Sequence, residues 1–297
     1  MFYESKVLNV KIRRPKVHFV PDVVYSQVSM PHLKNKLLQA DLFIPQTEKK
    51  LPAVIFVTGG GFVGANKARM LQLRMHLAEK NFVVASINYR TAPESRFPSQ
   101  IEDVKSAIRF FKANSQRFNI DSEKIFLIGD SAGGYLAAFA AITNDDTIFN
   151  VGDNLNQSSK VLAAVNLYGL SDLTKVAQDF PKEAQNIYYS AGAVVSLFVN
   201  GLTDFGGVDG GILSNPEAQK ANPINYITKN SAPMLLMHGS ADNIVSPSQS
   251  DLLFQALRAQ NVDAERYIIP NAGHSDDFWH QDEVFNLITD FFMRYLN

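Results

Sequence analysis

A chain of 297 residues that is 46% hydrophobic can fill a large core, which argues against disorder and fits one α/β domain carrying an insertion. Its formal net charge of −1 offers no electrostatic footprint for nucleic acid or an anionic membrane. It has no cysteine, which excludes disulfides, thiolate chemistry and cysteine-held metals, and leans towards a reducing compartment.

The chain opens with MFYESKVLNVKIRRPKVHFV, where Glu4, Lys6, Lys11, Arg13 and Arg14 leave no apolar block long enough for a signal peptide. No later stretch approaches the ~18 uninterrupted apolar residues of a spanning helix. The expectation is a cytoplasmic protein with no membrane partner and no nucleic-acid partner. Oligomeric state stays open, a homo-oligomer included.

Residues Val17–Val28 and Lys36–Ile44 read as opening strands, expected to be antiparallel. Pro52–Thr58 (PAVIFVT) is a short apolar run ending in glycines, as a buried strand would. Lys67–Lys80 reads as a helix, and Phe82–Tyr89 (FVVASINY) as another buried strand. Pro93 and Pro98 break the following loop. Ile101–Phe118 is amphipathic, with Val104, Ala107, Ile108 and Phe111 on one face. Lys124–Gly129 (KIFLIG) is a third buried strand, running into Asp130–Ser131–Ala132–Gly133–Gly134 and a helix over Tyr135–Ile142.

Val161–Tyr168 is the next strand. Residues 171–229 break the rhythm with mixed helix, glycine and proline signals, and an inserted cap is expected there. A strand at Met234–His238, a helix at Pro247–Gln260, a strand at Ala264–Ile269 and a helix at Asp282–Leu296 complete the chain. Apolar strands alternating with helices imply a mostly parallel sheet covered on both faces. Sites in such sheets form at the carboxyl ends of the strands.

Four chemical candidates fall at such ends. Gly129–Asp130–Ser131–Ala132–Gly133 fits G-x-S-x-G between an apolar strand and a small-residue helix. A turn that sharp strains the serine backbone, demands glycine two positions either side, and lifts the hydroxyl over a helix N-terminus. The bland alternative is a serine that merely caps the helix. A phosphate-binding loop would want lysine after the glycines, where Tyr135 and Leu136 stand.

A serine nucleophile needs donors for a developing oxyanion. The backbone N–H of Ala132 is one candidate. The N–H groups of Gly60 and Gly61, in Thr58–Gly59–Gly60–Gly61–Phe62, are the others, against the reading of a plain flexible turn. Of six histidines, His274 stands in a loop between the last strand and the last helix, where a general base can reach a serine. His18, His32, His76 and His280 lack such a context. His238 ends a strand and is either a loop support or an ordinary strand-end residue.

Asp242 lies on the loop after the preceding strand and completes the order serine, acid, histidine. Its rivals are Asp172, Asp251, Asp276 and Asp277. The aromatic residues Phe62, Tyr168, Tyr188, Tyr189, Phe198 and Phe205 are candidates to line a substrate pocket, with at least half expected in the core. Phe62, Tyr168 and Tyr188 are the first choices.

These motifs, with Asn222–Pro223–Ile224 and Asp277–Phe278–Trp279, resemble hormone-sensitive-lipase-like esterases of the α/β-hydrolase fold. The likeness is stronger to the bacterial acetyl and feruloyl esterase branch and covers roughly residues 36–297. It implies an eight-stranded sheet, no cofactor, and hydrolysis of small or medium carboxylic esters, acetyl or hydroxycinnamoyl esters of carbohydrates among them. Similar enzymes usually carry histidine where this chain has Thr58, so the support of the oxyanion loop differs, and threonine has one hydrogen bond to offer.

A prolyl-type peptidase would need a large extra domain for which there is no room. A non-catalytic binding member of the fold typically lacks a triad residue. A metal hydrolase finds no H-E-x-x-H spacing at His274 and His280.

Overall fold

A computed structural model describes residues 5–30, 35–144, 146–203, 207–208 and 210–296. His32 and Phe205 lie outside the described residues. Eight strands form one sheet in the order β1-β2-β4-β3-β5-β6-β7-β8. They are β1 (Val17–Val28), β2 (Lys36–Pro45), β3 (Leu51–Val57), β4 (Val83–Ile87), β5 (Ile120–Asp130), β6 (Ala164–Leu167), β7 (Met234–Gly239) and β8 (Ala264–Ile269). β1 and β2 pair antiparallel, as does β2 with β4, and every later pairing is parallel.

The uninterrupted apolar runs are strands covered on both faces. In β3, Ala53, Ile55 and Val57 enter one core cluster while Val54 and Phe56 enter the other. In β5, Ile125 and Leu127 oppose Phe126 and Ile128 in the same way. Helices α2 (Ser99–Ala113) and α3 (Ala132–Ile142) bury Ile101, Val104, Ile108, Phe111, Leu136 and Phe139 against one face. Helices α1 (Leu71–Glu79) and α7 (Asp282–Arg294) bury Leu73, Leu77, Phe285, Ile288 and Phe292 against the other.

Several boundaries differ from the sequence reading for identifiable reasons. α1 begins at Leu71 rather than Lys67, because Met70 takes a left-handed conformation (φ 51°) that interrupts any earlier turn. α2 runs Ser99–Ala113 instead of Ile101–Phe118. Phe118 packs on the Phe111 ring at 5.7 Å from outside the helix, so its apolar character serves tertiary packing, not helical periodicity. β6 has only four residues, since Tyr168 leaves the strand at φ 42°. α3 begins at Ala132, three positions before Tyr135, with Gly133 and Gly134 buried inside it.

Between β6 and β7 the chain forms α4 (Lys182–Tyr188), α5 (Val194–Asn200) and several short 3-10 turns. Asn222 ties the two ends of this segment. Its Oδ1 accepts from Leu173 N–H at 2.8 Å and its Nδ2 donates to Asp172 Oδ1 at 2.8 Å. Gln249 of α6 (Ser248–Ala259) accepts from Ser171 and Asp172 N–H, both at 2.9 Å. Among the described residues, no helix is long and apolar enough to cross a membrane.

Candidate active site

Ser131 sits between β5 and α3 at φ 54° and ψ −121°, a conformation costly for any residue but glycine. The turn is pinned from below. A Cβ at Gly129 would fall inside the carbonyl of Gly133, and one at Gly133 would fall inside that of Val57. The two glycines are therefore steric necessities, and the turn they permit projects Ser131 over the N-terminus of α3. Ser131 N–H donates to Leu167 O at 2.8 Å, which locks the turn to the neighbouring strand.

His274 stands on the loop after β8. Its Nε2 lies 2.9 Å from Ser131 Oγ and its Nδ1 lies 2.8 Å from Asp242 Oδ2. The loop is fixed on both sides of the imidazole. Gly273 N–H donates to Asp276 Oδ2 at 2.5 Å, and Trp279 Nε1 donates to Gly273 O at 2.9 Å.

Asp242 is the acidic residue in this line. Its Oδ1 accepts from Ile244 and Val245 N–H, each at 2.9 Å. Its Oδ2 takes the imidazole of His274 and also that of His238, at 3.2 Å. Burial pushes the Asp242 carboxyl up, but donors from His238, His274 and the Val245 backbone outweigh it and hold the group well below the usual carboxylate range. Three of the four rivals are engaged elsewhere. Asp172 accepts from Thr174 and Asn222, Asp276 caps its own loop, and Asp251 faces Arg266.

His238 is a support, not a bare strand-end residue. It is fully buried, and its Nε2 donates to Val245 O at 2.9 Å as well as facing Asp242. Two imidazoles thus share one carboxylate oxygen.

In the glycine loop, Gly59 N–H donates to Asp130 Oδ1 at 2.7 Å. The N–H groups of Gly60, Gly61 and Ala132 have no acceptor among the described residues. Thr58 does make a hydrogen bond, to Ile87 O at a long 3.4 Å, which points away from the loop. The shorter tether is Tyr89, whose hydroxyl donates to Thr58 O at 2.8 Å.

Asp130 is fully buried and carries a second partner, Arg69, whose Nε and Nη2 reach its Oδ2 at 3.0 and 2.5 Å. Arg69 Nη2 also donates to Ser275 Oγ at 3.0 Å. Burial works against the Arg69 charge, and the Asp130 carboxylate more than compensates, so the guanidinium holds its proton more tightly than a free one. Neither Arg69, Tyr89, Ser275 nor the side chain of Asp130 was singled out from sequence. The only local signal is the Asp130 carboxylate beside the serine of the motif.

An apolar cavity of about 380 Å³ opens at Ser131. Gly61, Phe62 and Ala132 border it on the sheet side, and Ile187, Tyr188 and Val195 on the other. Phe62 is nearly fully buried and stacks on Phe198 at 4.0 Å, so it forms the floor. The Tyr188 hydroxyl donates to Ile244 O at 2.7 Å, joining α4 to the Asp242 loop. Tyr189 and Phe198 do not border the cavity.

Tyr168 does not line the cavity either, contrary to the reading from sequence. Its left-handed backbone turns the ring behind His274, with centroids 4.8 Å apart, and against Trp279 at 4.4 Å. It is a buried backing for the imidazole. Among the described residues, no group of three or more His, Asp or Glu side chains is placed to hold a metal ion.

Comparison with known proteins gives a consistent picture. The chain is 32% identical over 232 residues to Esterase LipC of Mycobacterium tuberculosis (strain ATCC 25618 / H37Rv), covering 77% of this chain and 54% of that one. It is 29% identical to isoprenylcysteine alpha-carbonyl methylesterase ICME of Arabidopsis thaliana, covering 85% and 58%. The chain therefore spans little more than half the length of these curated relatives. Among solved structures, a truncated carbohydrate esterase from gut microbiota superposes with a TM-score of 0.78 at 26% identity, covering 95% of this chain and 97% of that one. A bifunctional GH43-CE from Bacteroides eggerthii gives 0.80 at 28%, covering 94% and 35%. The fold is that of the α/β-hydrolase esterases. A family model described as BD-FAE matches residues 40–257, from β2 through α6, and the chain belongs to that family.

Proposed function

We propose that this protein is a carboxylic ester hydrolase in which Ser131 is the nucleophile, His274 the general base and Asp242 the residue that orients it. The observation that carries the reading is the unbroken line Asp242 Oδ2–His274 Nδ1, 2.8 Å, and His274 Nε2–Ser131 Oγ, 2.9 Å, at the mouth of an apolar cavity. Esterase names among the relatives support it.

His274 Nε2 takes the Ser131 proton as Oγ bonds to the ester carbonyl carbon. The carbonyl oxygen becomes an oxyanion facing the N–H groups of Gly60, Gly61 and Ala132. As the tetrahedral intermediate collapses, the C–O bond to the alcohol breaks and His274 returns the proton to the leaving oxygen. Water, deprotonated by His274, then attacks the acyl-enzyme, and Ser131 leaves with the proton. Asp242 stays ionised throughout and stabilises the imidazolium.

The cavity is the acyl site, and segment 171–229 is the cap that closes it through Ile187, Tyr188 and Val195. Its apolar walls and 380 Å³ suit a neutral acyl group of small to medium size, acetyl or hydroxycinnamoyl esters of carbohydrates being the substrates to try first. The test is a panel of p-nitrophenyl esters graded by acyl length, with hydroxycinnamoyl esters, on wild type and Ser131→Ala. Turnover that vanishes in the variant supports the assignment. Wild-type turnover in Ser131→Ala overturns it.

A further inference from the structure

Three loops of the site are joined by one ion pair. Asp130 precedes the candidate nucleophile, Gly59 precedes the oxyanion glycines, and Ser275 follows the candidate base. Asp130 Oδ1 holds the Gly59 N–H at 2.7 Å, while its Oδ2 holds Arg69, which in turn holds Ser275 Oγ at 3.0 Å. Each contact thus lies one residue from a group expected to meet the substrate. Arg69 does not border the cavity and, among the described residues, makes no hydrogen bond to Ser131, His274 or Gly60.

We propose that Arg69 is a positioning residue that sets the base loop in register with the nucleophile turn and, through Asp130, with the oxyanion loop. The inference rests on the esterase reading above. A guanidinium suits the task because its fixed fork spans two acceptors on different segments, whereas an ammonium is a point charge without that geometry. The backbone of Arg69, in the turn that precedes α1, is anchored by Arg74 of that helix, whose Nε donates to Arg69 O at 2.8 Å. Its own Nη2 ends between Asp130 and Ser275, and one third of the side chain reaches solvent. A site vacated by truncation is therefore open to a small cation from water.

Without the guanidinium, the Asp130 carboxylate is buried with half its partners gone, and the base loop loses the Ser275 tether that helps hold His274 against Ser131. A displacement of about 1 Å in a catalytic loop costs roughly 10²-fold in rate. The experiment uses the full chain with Arg69→Ala, Arg69→Lys, Ser275→Ala and the Arg69→Ala/Ser275→Ala double variant. It reads kcat and KM on one p-nitrophenyl ester and the rate of covalent labelling by a fluorophosphonate. Melting temperatures define the range in which each variant is folded.

Arg69→Ala should lose roughly 10²-fold in kcat with KM within about twofold, and Arg69→Lys should fall between it and wild type. Millimolar guanidinium should recover about tenfold of the Arg69→Ala loss, in turnover and in labelling, and leave wild type unchanged. Ser275→Ala should cost about threefold alone and nothing further in the Arg69→Ala background.

An Arg69→Ala enzyme with wild-type kcat overturns the inference, as does a loss carried by KM alone or one that guanidinium does not recover in folded protein. If Arg69→Ala does not fold, Arg69→Lys and Ser275→Ala decide, and wild-type kcat in both is refutation. Full turnover in Ser131→Ala sinks the esterase reading instead, whatever Arg69 does. Lost turnover in Ser131→Ala with an indifferent Arg69→Ala sinks only this proposal.

Discussion

Replacing Asp242 by asparagine separates charge and tautomer control from shape. The carboxylate accepts four donors, two backbone N–H groups on Oδ1 and two imidazoles on Oδ2. An amide of the same size has one oxygen to offer. If that oxygen keeps Ile244 and Val245, the NH₂ group confronts His274 Nδ1 and can be accommodated only when Nδ1 is bare. The imidazole proton then sits on Nε2, pointing at Ser131, and His274 can no longer accept the serine proton. A triad with the wrong tautomer loses about 10⁴-fold in turnover, or ~5.5 kcal/mol on the barrier.

Folding should suffer less. Two charge-assisted hydrogen bonds of ~1.5–3 kcal/mol each are weakened, while the burial penalty of a carboxylate disappears, so a net loss of ~2 kcal/mol is expected. For a chain of this size that lowers Tm by about 5 °C. KM should hold, because Asp242 does not border the cavity. The assay is steady-state hydrolysis of a p-nitrophenyl ester at neutral pH, with a melting curve on the same sample. Turnover of Asp242→Asn within about tenfold of wild type would refute the assignment of tautomer control to this carboxylate.

The same carboxylate should make stability depend on acid. Its folded-state pKa is depressed below the unfolded value, so its contribution is whole above about pH 4 and drains away as pH falls towards the folded value. Urea unfolding at about pH 5 and about pH 3 should show wild type losing more stability than Asp242→Asn, and parallel losses would contradict the linkage. At the nucleophile turn, Gly133→Ala would drive a methyl into the Val57 carbonyl and should abolish soluble protein or lower Tm by more than ~10 °C. Gly192→Ala, where a methyl meets open space, should leave Tm unchanged, and equal melting of the two variants would show that the turn relaxes.

What could be read from the sequence was what local sterics and periodicity dictate. β3, β4 and residues 125–129 of β5 announce themselves because residues on both faces of these segments are buried, and the buried Ser86 is the one polar residue that interrupts the runs. Ser131 is legible because its turn tolerates only glycine at Gly129 and Gly133. Asp242 and His274 follow from chain order once the serine is placed. Contacts across long separations were not legible. Arg69 reads as a polar residue at the start of a helix, yet its partners lie 61 and 206 positions away. Tyr168 was rightly placed at a strand end, but a single left-handed residue decides which side its ring faces, and no periodicity encodes that.

Thr58 shows how the missing histidine of similar enzymes can be dispensed with. Its hydroxyl is spent on Ile87 at 3.4 Å, too long and too far from the glycines to hold them. The loop is gripped through its backbone instead, the carbonyl of Thr58 by Tyr89 and the N–H of Gly59 by Asp130. Both grips come from buried residues on neighbouring strands, Tyr89 just past β4 and Asp130 at the end of β5. Backbone anchoring moves the burden of orienting the proposed oxyanion donors onto Asp130. That carboxylate is buried, so it needs a permanent countercharge, and Arg69 is the cation beside it. The support of the oxyanion loop and the support of the base loop are then one structure, and a change in Arg69 reaches both.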